Sequence, residues 1–148
     1  MSEKTIQTAL KTTLESLTNW HNVTVIINDW SILDGSLDHA PYALIETADS
    51  VTNQLDNMIP VTLWQIPVTL FCRFTDWQAT YNQIRDLRQA VLDEVAINEH
   101  FADWLVNVAR SEGPIGEWYD PHQNPASNPA PVFVTQRLVL EVEETNCG

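Results

Sequence analysis

Glycine is scarce in this chain, four residues in 148. Loops that cradle phosphate rely on glycine because only a residue without a Cβ lets backbone amides close around an anion. Neither G-x-x-x-x-G-K-[ST] nor G-x-S-x-G occurs, so phosphate loops and the common hydrolase elbow are set aside. Basic side chains are also few, seven Lys and Arg against twenty Asp and Glu, for a formal charge of −13. A surface that grips nucleic acid neutralises phosphates with cations, so the balance rules against that class. Of the two cysteines, Cys72 falls inside a strand pattern and Cys147 is next to last. Both read as free thiols rather than a structural disulfide. No stretch approaches the roughly 18 uninterrupted apolar residues of a membrane span. The start MSEKTIQTAL has neither an apolar run nor a basic leader, so the expectation is a protein kept in the cytosol, away from membranes. The sequon Asn22-Val23-Thr24 is then without meaning.

What is present is core material: 44% hydrophobic residues and six tryptophans. A chain of this length can bury about 68–70% of its unfolded surface around one core. With no internal repeat and no linker, residues 1–148 read as a single domain. The acidity sits toward the two ends, −6 over residues 1–60 and −5 over 112–148, against −2 between them. Such a surface keeps a protein soluble or repels something anionic.

Ile6, Ala9, Leu10, Thr13, Leu14 and Leu17 recur at helical spacing behind Ser2 and Glu3, which predicts a helix over about 3–19. Residues 23–27 are β-branched and apolar, a first strand, and a turn-rich loop, SILDGSLDHAP, follows. Residues 42–47 form a second strand, which Asp49 to Asn57 either ends or extends as a hairpin arm. From Val61 to Phe74 the residues alternate, with Trp64, Ile66, Val68, Leu70 and Cys72 on an apolar face and Gln65, Thr69 and Arg73 on a mixed one. Pro67 interrupts this strand. Lacking an N–H, it predicts a sheet edge or a bulge, and a blunted edge would limit pairing with other chains.

At Thr75 the period changes to 3.6. Thr75-Asp76-Trp77-Gln78 fits a capping box, with Asp76 a competing cap, and Trp77, Tyr81, Ile84, Leu87, Val91 and Val95 form one apolar stripe, read as core. A short helical turn over Asn98 to Asp103 and a strand over 104–110 follow. Residues 112–131 hold five of the eight prolines, which predicts a projecting loop. Its Trp118, Tyr119 and Pro121, with Pro67, are the candidate contact residues for a partner. Val132 to Glu143 alternates as a last strand, with Val132, Val134, Leu138, Leu140 and Val142 inward and Gln136 the polar exception. The order α-β-β-β-α-β-β predicts a two-layer α+β domain, a mostly antiparallel sheet with helices packed on one face.

Chemistry is thin. His21, His39, His100 and His122 lie in four segments without metal-ligand spacing. Asp34, Asp38 and His39 match no calcium loop. Glu117, Asp120 and His122 lack a nucleophile or oxyanion donors nearby in sequence. The expectation is no enzyme, no cofactor and no metal.

An N-terminal amphipathic helix, a strand pair ending in PYALIE, a long LWQIPVTLFCRF strand running into a W-x3-Y-x2-I-R-D-L-R helix, a proline-rich loop with a tryptophan, and a final VTQRLVLEVEE strand stand in this order. Together, over Ile6 to Glu144, they resemble the tail terminator proteins of tailed bacteriophages. The resemblance implies a homo-oligomeric ring, commonly of six subunits, that caps the tail tube protein and ends its polymerisation. Its other surface would meet the head completion or connector protein, and DNA would pass through the lumen without specific binding. It would place the protein in the virion at the head–tail junction, after assembly in the host cytoplasm. An acidic lumen would keep phosphates from adhering. The alternatives are another head–tail joining or tail completion protein, a cytosolic α+β hydrolase or ligand-binding domain, or a module that binds a host protein through the proline-rich loop.

Overall fold

Alternating apolar residues build one mixed sheet, and two amphipathic helices cover one of its faces, in a computed structural model that describes residues 3–20, 22–28, 41–53, 61–97, 105–119 and 131–145. The elements are α1 (Glu3–Glu15), a 3-10 turn (Thr18–Trp20), β1 (Thr24–Ile27), β2 (Tyr42–Ile45), β3 (Asp49–Asn53), β4 (Val61–Arg73), α2 (Trp77–Ile97), β5 (Leu105–Trp118) and β6 (Phe133–Thr145). Strand order is β1-β2-β4-β6-β5, and β3 pairs β4 as well. Only β1 and β2 run parallel; every other described pair is antiparallel. The domain is α+β, and the polar stretch after β2 is the hairpin arm β3 over its first five residues.

Ile6, Leu10 and Leu14 of α1 and Ile84, Leu87 and Val91 of α2 share one buried cluster with Ile66, Val68, Leu70 and Cys72 of β4. The period-2 reading of β4 therefore holds, and burying each large aliphatic side chain contributes about 1.5–3 kcal/mol. The opposite face is less wet than its sequence suggests. Tyr42, Leu44, Phe71 and Phe133 form a second buried cluster there, with Phe71 and Phe133 edge to face at 5.9 Å. Val132, expected to point inward, packs with this second cluster instead, because the strand starts one residue later at Phe133.

Three boundaries differ from expectation. α1 ends at Glu15, and the chain then tightens through Leu17 N to Leu14 O (3.2 Å) and Trp20 N to Leu17 O (2.9 Å). The tightening buries Trp20, whose Nε1 donates to Leu87 O at 3.1 Å and ties the turn to α2. At α2 the cap is Asp76, not Thr75: Asp76 Oδ1 accepts from Ala79 N at 2.8 Å, while Thr75 N donates to Thr80 Oγ1 at 3.0 Å. Lastly, residues 112–118 are strand, not loop. The register of β5 shifts between Glu112 and Gly116, a bulge that absorbs Pro114 and a left-handed Gly113 (φ 75°). Buried Gln136 pins the bulge by donating from Nε2 to Gly113 O at 3.2 Å, and its Oε1 accepts from Arg88 Nη1 of α2 at 3.1 Å. The expected turn at Asn98 to Asp103 lies outside the described residues, as do residue 104 and most of the 29–40 and 120–130 segments' readings.

Pro67 is not at an edge. β4 pairs with β6 along Val61–Arg73, and its other side pairs with β3 over Val61–Gln65 and with β2 over Val68–Phe71. Pro67 falls in the gap between β3 and β2. A strand residue aims its N–H and C=O at the same neighbour. Pro67 O accepts from Glu46 N at 2.9 Å, so the absent N–H belongs opposite Glu46 O. That carbonyl instead accepts Gln7 Nε2 of α1 at 2.9 Å. Gln7 is only 2% exposed, and its Oε1 accepts from Asn28 Nδ2 at 3.4 Å. Asn28 holds a left-handed backbone (φ 53°), which asparagine tolerates, and donates its N–H to Ile45 O at 2.8 Å.

Gln7→Leu removes a buried donor, and denaturant unfolding should show a loss of about 1–3 kcal/mol. In a Pro67→Val background the new N–H faces Glu46 O, so the same change should be milder by at least about 0.5 kcal/mol. Strict additivity of the two substitutions would contradict the replacement of one donor by the other.

Candidate interaction site

The buried arc of α2 is Thr80, Ile84, Leu87 and Val91, spaced 4, 3 and 4. At 3.6 residues per turn, Trp77 and Tyr81 lie roughly 50° and 90° around the helix from the middle of that arc. The expected stripe is therefore rotated: its centre is core, and its first two aromatics lie on a flank. Trp77 is 50% exposed. Its ring lies edge-on to Phe74 at 4.8 Å and tilted against Tyr81 at 5.8 Å, and the Arg85 guanidinium sits 5.9 Å from the Tyr81 ring. Trp77, Tyr81 and Arg85 border a shallow hollow of about 440 Å³.

The Tyr81 hydroxyl donates to Glu117 Oε1, which ties this flank to β5. That bond holds Tyr81 above its ordinary pKa; desolvation and the charges of Glu117 and Tyr119 act in the same direction, and Arg85 opposes them. Tyr119, one residue beyond β5, is 48% exposed and extends the aromatic surface.

The other flank of α2 has opposite chemistry. A cleft of about 710 Å³ separates it from the 3-10 turn, held in place by the Trp20 bond to Leu87 O. Val23 and Leu87 supply apolar lining, Asn19 and Asn22 supply amides, and Asp86 and Asp93 supply carboxylates.

Of the three expected contact residues that are described, only Tyr119 is exposed. Trp118 ends β5 and packs half-buried on Phe133 with ring centroids 5.7 Å apart, because its strand register places it directly opposite that residue. It does not project. Pro67 is buried inside the central strand, and Pro121 lies outside the described residues. So do His21, Asp34, Asp38, His39, His100, Asp120, His122 and Cys147. Glu117, the described member of the acid–base grouping, is engaged by Tyr81. Among the described residues, no group of three or more His, Cys, Asp or Glu could hold a metal ion, and no helix is long and apolar enough to cross a membrane. Burial pushes the Cys72 thiol up to about 12, which disfavours its thiolate form.

Trp77 and Arg85 are the residues that sequence reasoning assigned to the core or passed over, while half-buried Tyr81 packs against the core cluster as expected and also borders the hollow. The signal that finds them is Thr80: a threonine on the buried arc, bonded to Thr75 N, fixes the helix phase. No protein-family model matches the chain, and comparison with curated proteins finds no match.

Because the folded pKa of Tyr81 is raised, its contribution to stability is present below the ordinary tyrosine value of about 10 and is lost as pH rises through the higher folded value. Glu117→Gln should move the Tyr81 transition down toward the ordinary value, read by ultraviolet difference titration against the parent chain. An unchanged titration would show that Glu117 does not set it.

Proposed function

We propose that this chain is a structural subunit of a bacteriophage tail, a terminator that assembles into a ring on the tail tube. The observation that carries the reading is the aromatic surface of α2. A half-exposed Trp77 set edge-on to Phe74 and tilted against Tyr81, near Arg85, is the composition that dominates binding at protein interfaces.

The likeness of element order and local phrases to tail terminators supplies the rest of the proposal. Copies join in a ring, commonly of six; one surface meets the tube protein, the other meets the connector or head completion protein, and DNA crosses the lumen. The acidic balance supports this role, since a six-fold ring multiplies the −13 formal charge and leaves little for phosphate to grip. Screening over about 8 Å at physiological salt restricts that effect to carboxylates near the lumen.

The test is to add the purified chain to polymerising tail tube protein and measure tube lengths by electron microscopy. The proposal expects shorter tubes with one end capped, and Trp77→Ala should lengthen them again. Tubes of unchanged length with the parent chain would overturn it, and binding to the connector without capping would move the chain to a head–tail joining role.

A further inference from the structure

The two flanks of α2 are unlike in a way that matches. One presents an exposed indole and a guanidinium; among the described residues Arg85 makes no ion pair. The other presents a cleft large enough for a bulky side chain, apolar at Leu87 and Val23 and carboxylate-bearing at Asp86 and Asp93. We infer that the Trp77–Arg85 flank of one copy seats in the Asp86–Asp93 cleft of a second copy, as a head-to-tail contact. The inference rests on the reading of the chain as a self-assembling subunit and names the surfaces that assemble.

Charge favours this pairing over the two symmetric ones. Joining two aromatic flanks about a two-fold axis would bring Arg85 against Arg85, and joining two clefts would oppose two pairs of carboxylates. Head to tail, each guanidinium meets the carboxylates of Asp86 and of Asp93, whose Oδ1 accepts from Gln89 Nε2 at 2.8 Å, and Trp77 leaves water for a mixed lining of Leu87, Val23 and side-chain amides. Because both surfaces lie on flanks of one helix, a copy cannot satisfy itself. Each added copy exposes a fresh flank and a fresh cleft, and such a contact ends only when a ring closes. In a chain with seven basic residues, an arginine that makes no ion pair among the described residues, beside an exposed tryptophan, is a pairing element for an acidic surface, and the Asp86–Asp93 cleft is such a surface.

The test uses two full-length variants and sedimentation velocity across a concentration series. Trp77→Ala with Arg85→Ala disables the flank; Asp86→Arg with Asp93→Arg disables the cleft. Far-ultraviolet circular dichroism checks that each is folded. The parent should associate, and each variant alone should associate roughly 10- to 100-fold more weakly. Mixed in equal amounts, the variants should form a heterodimer and nothing larger, since one intact flank meets one intact cleft. Arg85→Glu combined with Asp86→Arg and Asp93→Arg in one chain should regain association. A parent that stays monomeric, variants that associate like the parent, or a mixture that stays monomeric would overturn the contact. Association as stated with unchanged tube length would contradict the functional proposal alone. Tube capping with both variants still associating would contradict this contact alone.

Discussion

The β1–β2 side of the sheet is organised by the way β4 accommodates a proline. Pro67 cannot donate to Glu46 O, so the ladder between β4 and its neighbours breaks there, and two short strands flank the gap in place of one long one. The vacant bond is made by Gln7, which fixes α1 over the break. Around it, Asn28 turns the chain out of β1 and Ala48 N donates to Glu3 Oε1 at 3.2 Å. On the sheet's other face, Thr69 Oγ1 donates to Glu46 Oε2 at 2.9 Å, with Arg137 Nε 3.6 Å from the same oxygen. One missing N–H thus sets the helix position, the strand break and a polar junction together. Buried polar groups of this kind specify a unique arrangement only when they are fully partnered, as they are here.

Placement of α1 has consequences downstream. The chain leaves α1 through the 3-10 turn, and Trp20 delivers its indole N–H to the middle of α2. This contact lies beside the cleft on one flank of α2, which Leu87 lines. On the other flank, the Tyr81–Glu117 bond holds α2 to β5 and keeps Trp77 on the surface. The two flanks are therefore positioned by two separate tethers to opposite sides of the domain. Phase along the helix decides which aromatics are available for contact, and Thr80 and Asp76 decide the phase.

Much of the architecture was legible in the sequence because it rests on period. β4, α2 and β6 each carry a long alternation or stripe, broken only at Gln136 and Pro67, and their elements appear within a few residues of expectation. What failed depends on partners distant in sequence. A proline in a strand pattern predicts an edge, since nothing in the strand shows that a glutamine sixty residues earlier replaces the lost donor. Residues 112–118 read as loop because Gly113 and Pro114 disfavour a regular ladder, yet a bulge pinned by Gln136 admits both. The exchange of roles between Trp77 and Trp118 has the same origin. Register against Phe133 buries one indole, and a small rotation of α2 exposes the other. Composition did speak to the surface: the acidic balance and the scarcity of cations are what make Arg85 stand out.

The proposed head-to-tail contact places both of its halves on one helix, α2. The most direct measurement is cryo-electron microscopy of the concentrated parent chain at side-chain resolution. Closed rings are expected, in which each seam sets Trp77 and Arg85 of one copy into the cleft beside Leu87, Asp86 and Asp93 of the next. Two-fold dimers, or rings whose seams leave Trp77 in solvent, would contradict that contact.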